Sequence, residues 1–158
     1  MDSGQTITPS GHRARLVIAD DDPVVQAMLT MSLARQFQVV GVAGDGEEAI
    51  ELARANQPDA ALLDVAMPKG GGLHAVKGIL EVAPDTAIVI LSGHRSHGMV
   101  RELMQAGAIA YRRKGVAPHL LATALTQSIK AHAADRRRSA WPILGWYCLG
   151  LDRRQRAR

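Results

Sequence analysis

The chain has 158 residues, 47% of them apolar, which suits one buried core with chain to spare and is too much for a wholly disordered polypeptide. Residues 1–130 carry 12 Lys+Arg against 13 Asp+Glu, whereas 131–158 carry seven Arg against two Asp, so the basic excess belongs to the end and the body has no electrostatic footprint for nucleic acid. No apolar run approaches the ~20 residues of a membrane span, the polar start MDSGQTITPSGHR has no apolar stretch of a secretory signal, and the single cysteine, Cys148, excludes a disulfide framework and a multi-cysteine zinc site; a cytoplasmic protein, not an integral membrane one, is expected.

In chain order, residues 1–13 read as a flexible lead. Leu16-Val17-Ile18-Ala19 is a short apolar strand running into acids. Val25, Met28, Leu29, Ser32 and Leu33 then keep helical spacing behind Asp22 as N-cap and Pro23 at the first helical position. Gln38 to Ala43 reads as a strand, and Asp45-Gly46-Glu47-Glu48 as a capping box opening a helix to about Ala55. Asp59 to Asp64 is a buried strand; after the glycines at 70–72 a helix runs to about Val82. Thr86 to Ser92 is the cleanest strand. A helix from about Ser96 to Ala106 and a short strand from Ala108 to Arg112 follow. Pro118 opens a last helix with Leu120, Leu121, Ala124, Leu125, Ser128 and Ile129 on one face. Five strand–helix units predict an α/β domain, a five-stranded parallel sheet with helices on both faces.

Ligands of such sheets bind beyond the carboxyl ends of the strands. Those ends hold Asp20-Asp21-Asp22, Asp64 and Ser92, with Lys114 just after the fifth strand. Two carboxylates about 4 Å apart repel by roughly 4 kcal/mol at an effective dielectric of 20, so the cluster calls for a cation. An all-oxygen donor set favours Mg²⁺ with room for a phosphate oxygen. A carboxylate beside Mg²⁺ and an ammonium can attack phosphorus, since the cations take up the arriving negative charge.

Four segments, LVIADDDP, PDAALLDVAMP with its glycines to Gly72, AIVILSG and AGAIAYRRKG, stand in this order over residues 14–130. Together they resemble the receiver domain of two-component response regulators, a flavodoxin-like fold, and DDDP and YRRKGVAPHLLATAL are closest to receivers of LuxR-type regulators. The resemblance implies a signalling domain rather than an enzyme. Asp64 is then the phosphoacceptor, and Mg²⁺ is held by Asp21 and Asp64 directly, by Asp20 mainly through water, and by the backbone carbonyl of Ala66. Lys114 and Ser92 bind the phosphoryl group, and Ser92 and Tyr111 form the switch. The partners it implies are a histidine kinase or phosphotransfer protein, and a second copy of the chain through helix 4, strand 5 and helix 5. Gly93, Gly115, and Lys69 with the three glycines depart from the commonest pattern, and the glycine loop is expected to be freer than usual.

Asp20-Asp21-Asp22-Pro23-Val24 also fits the D-x-D-x-[TV] motif of haloacid-dehalogenase-type phosphohydrolases, with Asp20 and Asp22 as the working pair. That reading gives Asp64 no task and lacks an acidic pair in the body after Lys114. No G-x-G-x-x-G follows the first strand, against a dinucleotide domain. His94 and His97 have HxxH spacing but no third ligand, and read as solvated loop residues. The domain organisation expected is a lead at 1–13, a receiver at 14–130 and a basic, Trp-bearing tail at 131–158 without a recognisable output domain. The tail offers a surface for an anionic membrane, nucleic acid or a partner.

Overall fold

The structure, a computed structural model, describes residues 4–93 and 97–139. Five strands, β1 (Arg15–Ala19), β2 (Gln38–Ala43), β3 (Ala60–Asp64), β4 (Ala87–Ser92) and β5 (Ala110–Arg113), alternate with α1 (Pro23–Leu33), α2 (Gly46–Asn56), α3 (Gly71–Val82), α4 (His97–Gln105) and α5 (Pro118–Ser139). The sheet is parallel throughout, in the order β2-β1-β3-β4-β5. Every residue of β3 and β4 is buried, as expected of inner strands covered on both faces.

Side chains alternate between two apolar layers. Leu63 and Ile90 pack with Ile50, Ile79 and Leu103 beneath α2, α3 and α4. Leu16, Ile18, Leu62 and Val89 pack with Leu33, Phe37, Leu121 and Leu125 beneath α1 and α5. Full burial of one Leu or Ile side chain is worth about 1.5–3 kcal/mol. These two layers therefore fix the strand register, and with it the position of every residue at the strand ends.

Three boundaries differ from expectation. The lead is tied down from Thr6 onward. Thr6 N–H donates to Gln36 O (2.9 Å), Ala14 N–H donates to Thr6 O (2.8 Å), and Ile7 bridges Arg13. Thr6 and Thr8 are buried, and the Thr6 and Thr126 hydroxyls share a 2.7 Å hydrogen bond. A polar sequence hides such order, because hydroxyls and backbone groups rather than apolar area hold it. Next, β5 starts at Ala110 rather than Ala108, since Ala108 N–H still donates to Leu103 O (3.0 Å) and Gly107 takes φ +117° to finish α4. Finally, α5 continues past residue 130 to Ser139. Its apolar face ends at Ile129, but Ala131, Ala133 and Ala134 are strong helix formers. Residues 140–158, with Trp141, Trp146 and Tyr147, and residues His94 to Ser96 lie outside the described residues, as does the side chain of His97, whose backbone opens α4 rather than lying in a loop.

Candidate functional site

The carboxyl ends of β1, β3 and β4 and the loop after β5 meet at one rim. β1 delivers Asp20 with its side chain wholly buried, and β3 delivers Asp64, 3% exposed. Lys114 reaches between them, with Nζ 2.7 Å from Asp20 Oδ2 and 3.0 Å from Asp64 Oδ2. Its loop is anchored by its own N–H, which donates to Ser92 O (2.9 Å) at the end of β4. Burial pulls the Lys114 ammonium down. The hydrogen bonds and charges of Asp20 and Asp64 more than offset this, and its pKa is raised above the ordinary 10.5.

Asp21 is exposed at the lip, and one carboxylate oxygen from each of Asp20, Asp21 and Asp64 can lie within 4.8 Å of the others. Three carboxylates facing one ammonium leave a surplus of two negative charges if all are ionised. This hard, all-oxygen set with an open outer side fits Mg²⁺. Ala66 is exposed in the loop two residues after Asp64, on the same rim. Ser92 is buried at the end of β4, one register step beyond the Asp64–Leu91 pair. Tyr111 pairs with Ile90 across β4–β5 and packs, half-buried, on the α2–α3–α4 layer.

Asp22 does something else. Its Oδ1 accepts from Val24 N–H (2.8 Å), capping α1, and its backbone N–H donates to Asp20 Oδ1 (3.0 Å). Asp22 thus points at the helix rather than at Asp64, and the Asp20/Asp22 pair that a haloacid-dehalogenase-type hydrolase needs is not assembled. Sequence reading missed Gln26. Its Nε2 donates to Asp20 O (2.6 Å) and Ala43 O (3.1 Å), tying α1 to the ends of β1 and β2. A glutamine one turn after a helix cap carries no signal of that task. Gly72 is legible in hindsight: a Cβ there would lie 3.0 Å from Val65 Cα and 3.1 Å from Asp64 O, so a side chain would crowd the backbone where α3 starts against the Asp64 strand.

The comparisons with known proteins agree with this geometry. The family profile described as the response regulator receiver domain matches residues 16–126. The chain belongs to the response regulator receiver family. It is 35% identical over 134 residues to the uncharacterized transcriptional regulatory protein YxjL of Bacillus subtilis, covering 84% of this chain and 62% of that one. It is 36% identical over 115 residues to the response regulator GacA of Pseudomonas aeruginosa, covering 72% and 54%. The chain thus spans roughly half to three fifths of the curated relatives it matches. A crystal structure of a LuxR-family two-component response regulator from Aurantimonas sp. superposes with a TM-score of 0.70 at 28% identity, over 75% of this chain and 86% of that one. These likenesses support a receiver of the LuxR-type regulators and a two-component role, and they give no support to the hydrolase alternative. Among the described residues no helix is long and apolar enough to cross a membrane.

Proposed function

We propose that this receiver accepts a phosphoryl group on Asp64 from a histidine kinase or phosphotransfer protein. Mg²⁺ would be held by Asp20, Asp21, Asp64 and the Ala66 carbonyl. The observation that carries the reading is the pair of buried carboxylates, Asp20 and Asp64, sharing the single ammonium of Lys114. When bound, Mg²⁺ supplies charge neutralisation to the incoming phosphoryl oxygens. Asp64 offers the nucleophilic oxygen. Lys114 stays protonated, since its pKa is raised, and can exchange its contact with Asp64 for one with a phosphoryl oxygen. The Ser92 hydroxyl would donate to another.

An apolar groove of about 330 Å³ beside Lys114, lined by Val25, Met28, Leu29, Val116 and Leu121 between α1 and the start of α5, offers the donor protein a seat. Met28 and Met31 on α1 are 60% and 78% exposed. For the readout, a hydrogen bond from Ser92 to the phosphoryl group, of about 1.5–3 kcal/mol, would draw the end of β4 inward. Tyr111 would follow, altering the α4–β5–α5 face that meets a partner or a second copy. The basic tail would add contacts to an anionic surface, nucleic acid or a partner.

The test is to weigh the intact protein after incubation with acetyl phosphate and Mg²⁺. One added phosphoryl mass is expected, absent in Asp64→Asn and without Mg²⁺. Equal labelling of Asp64→Asn would overturn the assignment, and steady turnover of ordinary phosphomonoesters would favour a hydrolase.

A further inference from the structure

Between Asp64 and α3 the chain makes a turn that ordinary residues resist. Lys69, Gly70 and Gly71 take φ values of +54°, +91° and +65° in succession, and the lysine sits in a region that L-residues with long side chains seldom enter. Such a glycine-rich turn should be loose. It is instead fastened to the first turn of α2. Lys69 Nζ lies 2.7 Å from Asp45 Oδ2, and Asp45 is only 15% exposed. The other oxygen of the same carboxylate, Oδ1, accepts from Glu48 N–H (2.9 Å) as the cap of α2, so the acid is already aimed. Backbone contact supports the tie. A Cβ on Gly46 would meet Lys69 O at 3.0 Å and Gly71 O at 3.3 Å, so α2 and the turn touch without side chains between them. On its other side the turn is covered by His74, whose Nε2 contacts Glu47 of the same α2 turn. A Cβ at Gly70 would lie 2.6 Å from His74 Cβ.

We propose that Lys69 and Asp45 are positioning residues for the phosphoacceptor site: their ion pair clamps the loop of residues 65–72 against α2 and so holds the Ala66 carbonyl ready for Mg²⁺. The inference rests on the reading of Asp64 and Ala66 given above. The lysine restores, through charge, the order that the glycines remove. Both pKa values move as a true pair requires. Asp45 is lowered by the Glu48 N–H and then by Lys69, and Lys69 is raised by Asp45. Because the ammonium is largely exposed, the tie is modest and salt-sensitive.

The test compares wild type, Lys69→Met, Lys69→Arg, Asp45→Asn (which keeps the cap oxygen) and the double variant Asp45→Asn/Lys69→Met. Two quantities are read: hydrogen exchange of the 65–72 amides in metal-free protein, and Mg²⁺ affinity by calorimetry. Lys69→Met and Asp45→Asn should speed loop exchange and weaken Mg²⁺ binding about two- to fivefold. Lys69→Arg should match wild type, and the double variant should be no worse than either single one. High salt should bring wild type toward the variants. If wild type binds Mg²⁺ and Lys69→Met matches it in affinity and loop exchange, or if the two single losses multiply in the double variant, the positioning role is overturned alone. If wild type takes up no Mg²⁺, the underlying site reading falls and this role with it.

Discussion

The two ends of the strands differ in how much charge they bury. At the end of the strands away from the rim, most polar groups are matched or left in water, although Arg13 Nε and His132 Nε2 are buried there without a hydrogen-bond partner. The Thr6 and Thr126 hydroxyls bond each other, Asp59 Oδ2 accepts from Arg15 N–H (2.8 Å) and lies 3.1 Å from His12 Nε2, and the Arg136–Asp85 pair is half-exposed on both sides. At the rim two carboxylates are sunk into the protein and share one ammonium, with a third acid at the lip. An end built for stability would not carry that imbalance, since each unpaired buried charge costs several kcal/mol. The lesson is that the rim concentrates carboxylates that could hold a metal ion, a concentration the far end lacks among the described residues.

The largest break in this contrast should come from Lys114→Met. It strands Asp20, whose side chain has no exposure, and Asp64. Denaturant unfolding in metal-free buffer should show a loss of about 2–3 kcal/mol, below the 3–5 of a fully buried pair because Lys114 is partly exposed. The pH dependence has a definite sign. The folded pKa of Lys114 is raised, so its contribution is complete below 10.5 and is lost as pH rises through the higher folded value. Wild type should therefore lose stability above about 10.5 in a step that Lys114→Met lacks.

Asp20→Asn should act in the other direction. Removing one of two buried charges leaves Lys114 with Asp64 alone, and metal-free stability should rise by about 1 kcal/mol. A fall of that size would mean that the rim is not electrostatically overloaded. At the opposite end, Thr6→Val leaves the Thr126 hydroxyl without its partner and should cost about 1 kcal/mol. Arg136→Ala removes an exposed pair and should change stability by no more than about 0.5 kcal/mol, as thermal melting would show.

Much of this was legible in the sequence, for definite physical reasons. Helix starts were marked by groups that satisfy orphan N–H donors: Asp22 and Asp45 cap α1 and α2 as their positions suggest. The inner strands stand out as continuous apolar runs, and a parallel sheet brings their carboxyl ends to one rim, so Asp20, Asp64, Ser92 and Lys114 group from the sequence alone. What was hidden depends on contacts between distant segments. Thr6 meets Thr126 across 120 residues, and Gln26 on α1 reaches the backbone carbonyls of Asp20, just after β1, and Ala43, at the end of β2. Lys69 reads as part of a loosened loop in the sequence, whereas its ammonium pairs with Asp45, 24 positions away. The end of α5 is blurred because the composition turns basic and Trp-bearing after residue 130, which hides the helix formers Ala131, Ala133 and Ala134.

Calorimetric titration of Mg²⁺ into the full-length chain near neutral pH tests the overloaded rim most directly. The account predicts one Mg²⁺ per chain in wild type, and a loss of affinity of about tenfold or more in both Asp20→Asn and Asp64→Asn. A wild type that takes up no Mg²⁺, or an Asp64→Asn variant that binds it as tightly as wild type, would contradict it.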